Sequence, residues 1–160
     1  MTSRLMTGDG RPEPKFVEKS YREALNLTIS VAGYLAQSYS AAAERPFTAE
    51  QQIVYAREST RMTCCLMQVV SWLMIQKGVI AGEITPEEAS TPKYRLGNRD
   101  VCLLQAGRDL RLMPDEFCDY LKKAQRLYRQ VERLEHMLYE QQNEGQNPVH
   151  EMFDRLHRPD

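Results

Sequence analysis

Apolar residues recur along this chain at helical spacing in three long stretches, with polar or proline- and glycine-bearing segments between them. In the first stretch Val17, Tyr21, Ala24, Thr28, Val31 and Leu35 follow steps of three and four, and Leu25, Ala32 and Tyr39 widen the stripe. The pattern predicts one amphipathic helix from Lys15 to about Ala43, stopped by Glu44-Arg45-Pro46 because a proline ring disfavours helix at the preceding residue. Thr48 and Gln51 have capping-box spacing and open a second helix. Its stripe reads Ile53, Ala56, Thr60, Thr63, Met67, Val70 and Met74, and Gly78 and Gly82 mark its end. Pro114-Asp115-Glu116 opens a third, with Phe117, Leu121, Ala124, Leu127, Val131, Leu134 and Leu138 facing inward and Arg126, Arg129, Glu132, Arg133 and Glu135 facing outward.

The middle of the second helix stands apart. Met62 to Ile75 carries no formal charge in a chain where 27% of residues are charged. Its polar residues, Thr63, Gln68 and Ser71, fall within an arc of roughly 140°, which leaves roughly 220° apolar. A helix at the edge of a domain needs only about 100°. This one is expected to touch several neighbours, or to carry a subunit interface as well; the uncharged run is too short to span a bilayer. Val69, Trp72 and Leu73 stand off the stripe. Two readings stay open for them: second-layer core, or a patch that pairs two copies of the chain.

Between the second and third helices, Thr85-Pro86-Glu87-Glu88 signals one short helical turn before Pro92. Thr91 to Met113 then shows no sustained period, and Val101-Cys102-Leu103-Leu104 is its one apolar cluster. A connection of that length is functional or mobile. Residues 1–14 read as a disordered arm and 142–160 as a disordered tail, the tail holding a late apolar cluster of Val149, Met152, Phe153 and Leu156. The expected architecture is all-α: an antiparallel three-helix bundle over 15–141, each helix on the order of 45 Å long, with a long connection between the second and third.

One domain suits 160 residues. A formal charge of −1 argues against nucleic acid as the main partner. The N-terminus has no apolar signal segment, so Cys64, Cys65, Cys102 and Cys118 read as reduced thiols of a cytoplasmic protein. Cys64 and Cys65 lie mid-helix among Met and Leu, where a thiol packs as a small hydrophobe more readily than it reacts. His136, His150 and His157 are scattered, and Glu-x-x-His does not occur, so neither metal nor cofactor is expected. Arg57 and Arg61 share a helix face and suit a carboxylate or phosphate; a solvated face, or pairing with acidic residues of a neighbouring helix, is the plainer alternative. The connection carries Arg95, Arg99, Arg108 and Arg111, a basic group for an acidic partner, although solvation alone explains such charges equally well.

The segment YARESTRMTCCLMQVVSWLMIQKGVIAGEITPEEA, followed by RLGNRDVC, resembles the RcdA family, the regulators of CtrA degradation of alphaproteobacteria. The resemblance spans roughly Phe16 to Tyr139 and is most specific over Tyr55 to Cys102. It implies a non-enzymatic homodimeric adaptor, cytoplasmic with recruitment to a cell pole. Such an adaptor delivers cell-cycle regulators to the ClpXP protease. The partners implied are ClpX primed by CpdR, the adaptor PopA, and cargo such as CtrA and TacA. Candidate partner-binding residues on this chain are Arg95, Arg99, Arg108, Arg111, Met152, Phe153 and Leu156. Candidate dimer-interface residues are Val69, Trp72 and Leu73. The alternative is a DNA-associated helical regulator in which the basic connection and Arg126, Arg129 and Arg133 contact phosphates, with salt-sensitive affinity. A small helical enzyme is a third class, for which the inferred stripes carry no buried charge constellation.

Overall fold

The computed structural model describes residues 7, 12–105 and 107–144. Among these every element is helical: α1 (Pro14–Glu44), α2 (Ala49–Ala81), α3 (Pro86–Ala89), α4 (Arg99–Leu103) and α5 (Asp115–Glu144). Short 3-10 turns at Pro92–Tyr94 and Arg108–Leu112 lie between them. The expected disordered arm and tail fall largely outside the described residues.

Local signals set the helix ends. Thr48 Oγ1 accepts from the Gln51 amide at 3.2 Å while the Thr48 amide donates to Gln51 Oε1 at 3.0 Å, which closes the capping box of α2. Thr85 and Glu88 repeat the device at α3. Gly82 ends α2 in the left-handed region at φ 74°, where a side chain is disfavoured, and Glu83 and Ile84 donate back to the Gly78 carbonyl.

Contacts along the long helices fix their directions. Lys77, near the end of α2, pairs with Glu18 near the start of α1 at 2.8 Å. Tyr55, near the start of α2, donates to the Leu35 carbonyl late in α1. These two helices are therefore antiparallel. Helix α5 behaves differently. Tyr55 packs on Phe117, Trp72 donates to Glu135, and Gln76 donates to Tyr139. The last two pairs share a separation of 63 residues, so α2 and α5 run parallel. The expected antiparallel order does not hold for this pair.

Parallel neighbours need a crossover, and residues 82–114 provide it. The connection travels back down the α2–α5 groove, fastened at each level. Tyr139 donates to Ala89 O, Tyr128 to Gly97 O at 2.7 Å, and Gln125 to Cys102 O at 2.9 Å. On the α2 side Gln68 accepts from Gly97 N, and Arg61 donates to Leu104 O. Arg57 then meets Asp109, and Gln51 donates to Leu112 O. Backbone groups that would be orphaned in a bare loop thus find partners on the two helices. The stretch expected to lack period is a structured strap, with Ala89, Cys102 and Met113 buried beneath it.

Helix α5 buries the stripe expected of it, Phe117 through Leu138. On α1 the expected Val17, Ala24 and Val31 are buried. Helix α2 is turned about its axis from expectation. Ile53, Met67 and Met74 of the predicted stripe are 66%, 63% and 55% exposed. The buried face carries Val54, Met62, Cys65, Leu66, Val69, Trp72 and Leu73 together with Glu58, Arg61 and Gln76. Val69, Trp72 and Leu73 are accordingly core and not a dimer interface; each keeps no more than 2% of its surface. The cause is the breadth of the apolar arc: a helix apolar almost all round has no phase of its own, so its polar partners choose one. By length and composition α2 would also pass for a membrane span. Here its charged and amide groups are buried against the strap and α5, and the helix is the wall shared by α1, α5 and the connection.

Candidate functional site

Rotation of α2 leaves one of its faces without a neighbour. Between that face and α1 runs an open cleft of about 330 Å³, lined by Leu25, Thr28, Val31, Ala32 and Leu35 of α1 and by Thr63, Leu66, Met67, Val70 and Ser71 of α2. It adjoins a second hollow of about 420 Å³, through the shared Leu35, Thr63 and Met67, where Ser59, Thr60, Cys64, Gln68 and Asn98 join the lining. Ile29, Tyr39, Ile53 and Met74 are further exposed apolar residues of the same two helices.

The hydroxyls here are less polar than their names. Thr28 donates to Ala24 O at 2.7 Å, Thr60 to Ala56 O at 2.8 Å and Thr63 to Ser59 O at 2.9 Å. Each donor is spent on its own helix, as Ser and Thr commonly do four residues back. Cys64 is the one ionisable side chain among the described lining residues. Burial pushes its thiol above the ordinary thiol range. Chemically the groove can take up apolar side chains.

The basic group expected on the connection is divided. Arg95 lies 3.1 Å from the buried Glu135 carboxylate and stacks over the Tyr139 ring, 4.3 Å from its centroid. Arg99 pairs with Glu132 at 2.6 Å. These two fasten the strap to α5, Arg95 partly covered and Arg99 still 66% exposed. Arg108 and Arg111 are exposed, at the far end of the strap. Met152, Phe153 and Leu156 lie outside the described residues. Of the helix arginines, Arg126 lines a separate cleft of about 360 Å³ between α1 and α5 with Lys123 and Glu23. Arg129 and Arg133 are exposed on the same helix.

Arg57 and Arg61 are neither a solvated face nor paired with a neighbouring long helix: they close on a carboxylate of their own helix. Glu58, fully buried, sits between them. Arg57 Nε donates to Glu58 Oε1 at 2.8 Å, and Arg61 lies 3.0 Å from Oε2 in an ion pair without good hydrogen-bond alignment. Arg57 then reaches both oxygens of Asp109 at 3.0 and 2.9 Å. A chain of alternating charge thereby ties α2 to the strap.

Glu58 and Glu135 are the residues that the hydrophobic pattern hides. Glu135, assigned to the outward face, instead accepts from Trp72 Nε1 at 3.0 Å and from the Leu96 amide at 2.7 Å. A sequence-level hint existed for Glu135: it directly follows Leu134 and lies four residues after Val131, at the margin of the α5 stripe.

No curated protein and no solved structure matches the chain. The profile of one family, described as a protein of unknown function, covers residues 10–159 and so takes in nearly the whole chain. On that match the chain belongs to the DUF1465 family.

Proposed function

We propose that this chain is a non-enzymatic adaptor of the RcdA type, built as a bundle of three long helices plus a returning strap. It tethers cell-cycle regulators such as CtrA and TacA for degradation by ClpXP, acting with CpdR-primed ClpX and with PopA, in the cytoplasm and at a cell pole. The observation that carries this reading is the open apolar groove between α1 and α2. A contiguous apolar surface on a folded domain is a place for another protein, and the chemistry lining this one suits docking.

In this reading the groove belongs to a second copy of the chain. The homodimer forms across Met67, Met74 and the facing residues of α1, in place of the buried Val69, Trp72 and Leu73. Cargo and protease contacts then fall to Arg108 and Arg111 at the end of the strap and to the tail with Met152, Phe153 and Leu156. The mechanism is tethering: holding cargo near the protease raises its effective concentration without altering the chemistry of cleavage.

Degradation with purified components tests the proposal. Cargo turnover by ClpXP in the presence of CpdR and PopA rises when this chain is added. Turnover that does not change on its addition rejects the adaptor. The phosphate-binding alternative is weaker because Arg95 and Arg99 are already paired; a duplex shifted in a gel at low salt and released at high salt would restore it.

A further inference from the structure

Three of the four cysteines meet at one point. Cys64 and Cys65 lie on α2 and Cys102 on α4, in the strap. Cys102 Sγ is 4.0 Å from Cys64 Sγ, and all four cysteines are free. The three thiols are not equivalent. Cys65 is buried; its Sγ points at the Cys102 carbonyl oxygen at 3.6 Å and also lies against the Cys102 thiol, but it has no opening to the hollow. Cys102 is buried as well. Cys64 is half-buried and lines the solvent-open hollow of about 420 Å³. Cys118 is elsewhere, against Leu110 O and Met113 O.

We infer that Cys64 and Cys102 form an oxidant-driven disulfide that fastens the strap to α2. The accessible Cys64 is the thiol a hydroperoxide reaches first, and because burial keeps its thiolate fraction low the step quickens as pH rises. Its sulfur attacks the peroxide oxygen, the O–O bond breaks, and Cys64 becomes a sulfenic acid with release of one water. Cys102 then attacks the Cys64 sulfur, the S–O bond breaks, and the second water leaves. Two thiols and one hydrogen peroxide thus yield one disulfide and two waters. The sulfurs must close from 4.0 Å to about 2.05 Å. The closure turns both side chains and draws on α4, a helix of only five residues.

The consequence is mechanical. In the reduced protein α4 is held to its neighbours by reversible hydrogen bonds, such as Gln125 to Cys102 O. A covalent link between residues 38 apart fixes the strap against α2 beside the groove. Reduction by a thiol releases it. The inference stands on the cysteine geometry and is independent of any role as an adaptor.

Peptide mapping of the purified full-length chain tests it. After hydrogen peroxide treatment and alkylation of the remaining thiols, two of the four cysteines resist alkylation. The tryptic peptide 62–77 is joined to 100–108 with the loss of two hydrogens, and amide exchange across 99–103 slows. Cys64→Ser abolishes the link, whereas Cys65→Ser and Cys118→Ser retain it. Four alkylated thiols after oxidation would overturn the inference. So would a link that survives Cys64→Ser, or one that joins two chains on a non-reducing gel.

Discussion

Replacing Glu135 should loosen the strap more than any surface charge change, and its size follows from what the carboxylate holds. One buried oxygen accepts from the Leu96 amide at 2.7 Å and from Trp72 Nε1 at 3.0 Å, and lies 3.1 Å from Arg95 Nε. Glu135→Ala leaves all three partners without their acceptor at once. A buried donor left unpaired costs about 1–3 kcal/mol. Trp72 is fully enclosed and so stands at the upper part of that range; Leu96 is half-buried and nearer the lower. Arg95, about a third exposed and resting on Tyr139, can turn to water and adds little. The sum is about 3–4 kcal/mol, a large share of a domain's margin. Glu135→Gln keeps one side-chain oxygen that can still accept from both the Leu96 amide and Trp72 Nε1 and loses the charge facing Arg95, so it should cost about 1 kcal/mol, well below the Ala variant. Urea unfolding gives both values, and hydrogen exchange at the Leu96 amide localises the effect to the strap. Trp72→Phe supplies the control. It removes the orphaned N–H, so in the Glu135→Ala background it should cost less than in the native chain, with a coupling of about 1–2 kcal/mol. A Glu135→Ala variant within about 1 kcal/mol of the native protein, or an unchanged Leu96 exchange rate, would refute this account of how the connection is held.

The remaining predictions address the groove, a helix end and a buried phenol. Met67→Glu should change the unfolding free energy of the monomer, at concentrations too low for pairing, by no more than about 0.5 kcal/mol yet reduce the solution mass of the particle at higher concentration, whereas Trp72→Ala should cost about 3–5 kcal/mol; sedimentation and urea unfolding separate the two. Gly82→Ala should cost about 1 kcal/mol, because it sets a side chain at φ 74°; thermal unfolding reads it. Burial raises the Tyr128 phenol above the ordinary tyrosine value of 10.0, and its hydroxyl donates to Gly97 O. Its contribution is therefore complete below pH 10 and is lost as pH climbs from there toward the higher folded value, since the unfolded chain ionises first. Tyr128→Phe should flatten that alkaline fall in stability, as measured by denaturant titration across the range.

How much of this was legible beforehand depended on whether a signal was local. The capping boxes at Thr48 and Thr85 and the left-handed Gly82 involve residues a few positions apart, and each was readable. So was the buried stripe of α5, because Lys122, Arg126, Arg129 and Arg133 mark the opposite face and leave the phase no freedom. Helix α2 offered no such marker between Met62 and Ile75. Its orientation is set by Arg61, which donates to Leu104 O on the strap, and by Gln76, which donates to Tyr139 on α5, 63 residues away, while Glu58 is held by Arg57 and Arg61 of its own helix. A periodicity count treats buried charge as evidence against burial, and here that rule inverted the answer.

The same long-range groups explain the topology. A long connection by itself is compatible with either direction for α5, since a slack loop can return or not. What decides is that residues 82–114 carry donors and acceptors at the levels where α2 and α5 present theirs: Ala89 to Tyr139, Leu96 to Glu135, Gly97 to Gln68 and Tyr128, Leu104 to Arg61, Asp109 to Arg57. The strap thereby fills the groove that a parallel pair of helices would otherwise leave wet, and it does so on one side of α2 only. With α1 on a second side and α5 on a third, the fourth side stays bare. The apolar groove is thus a direct consequence of the parallel crossover: the polar residues of α2 turn inward to hold the strap, and Met67 and Met74 turn outward because the helix cannot present both sets to the interior.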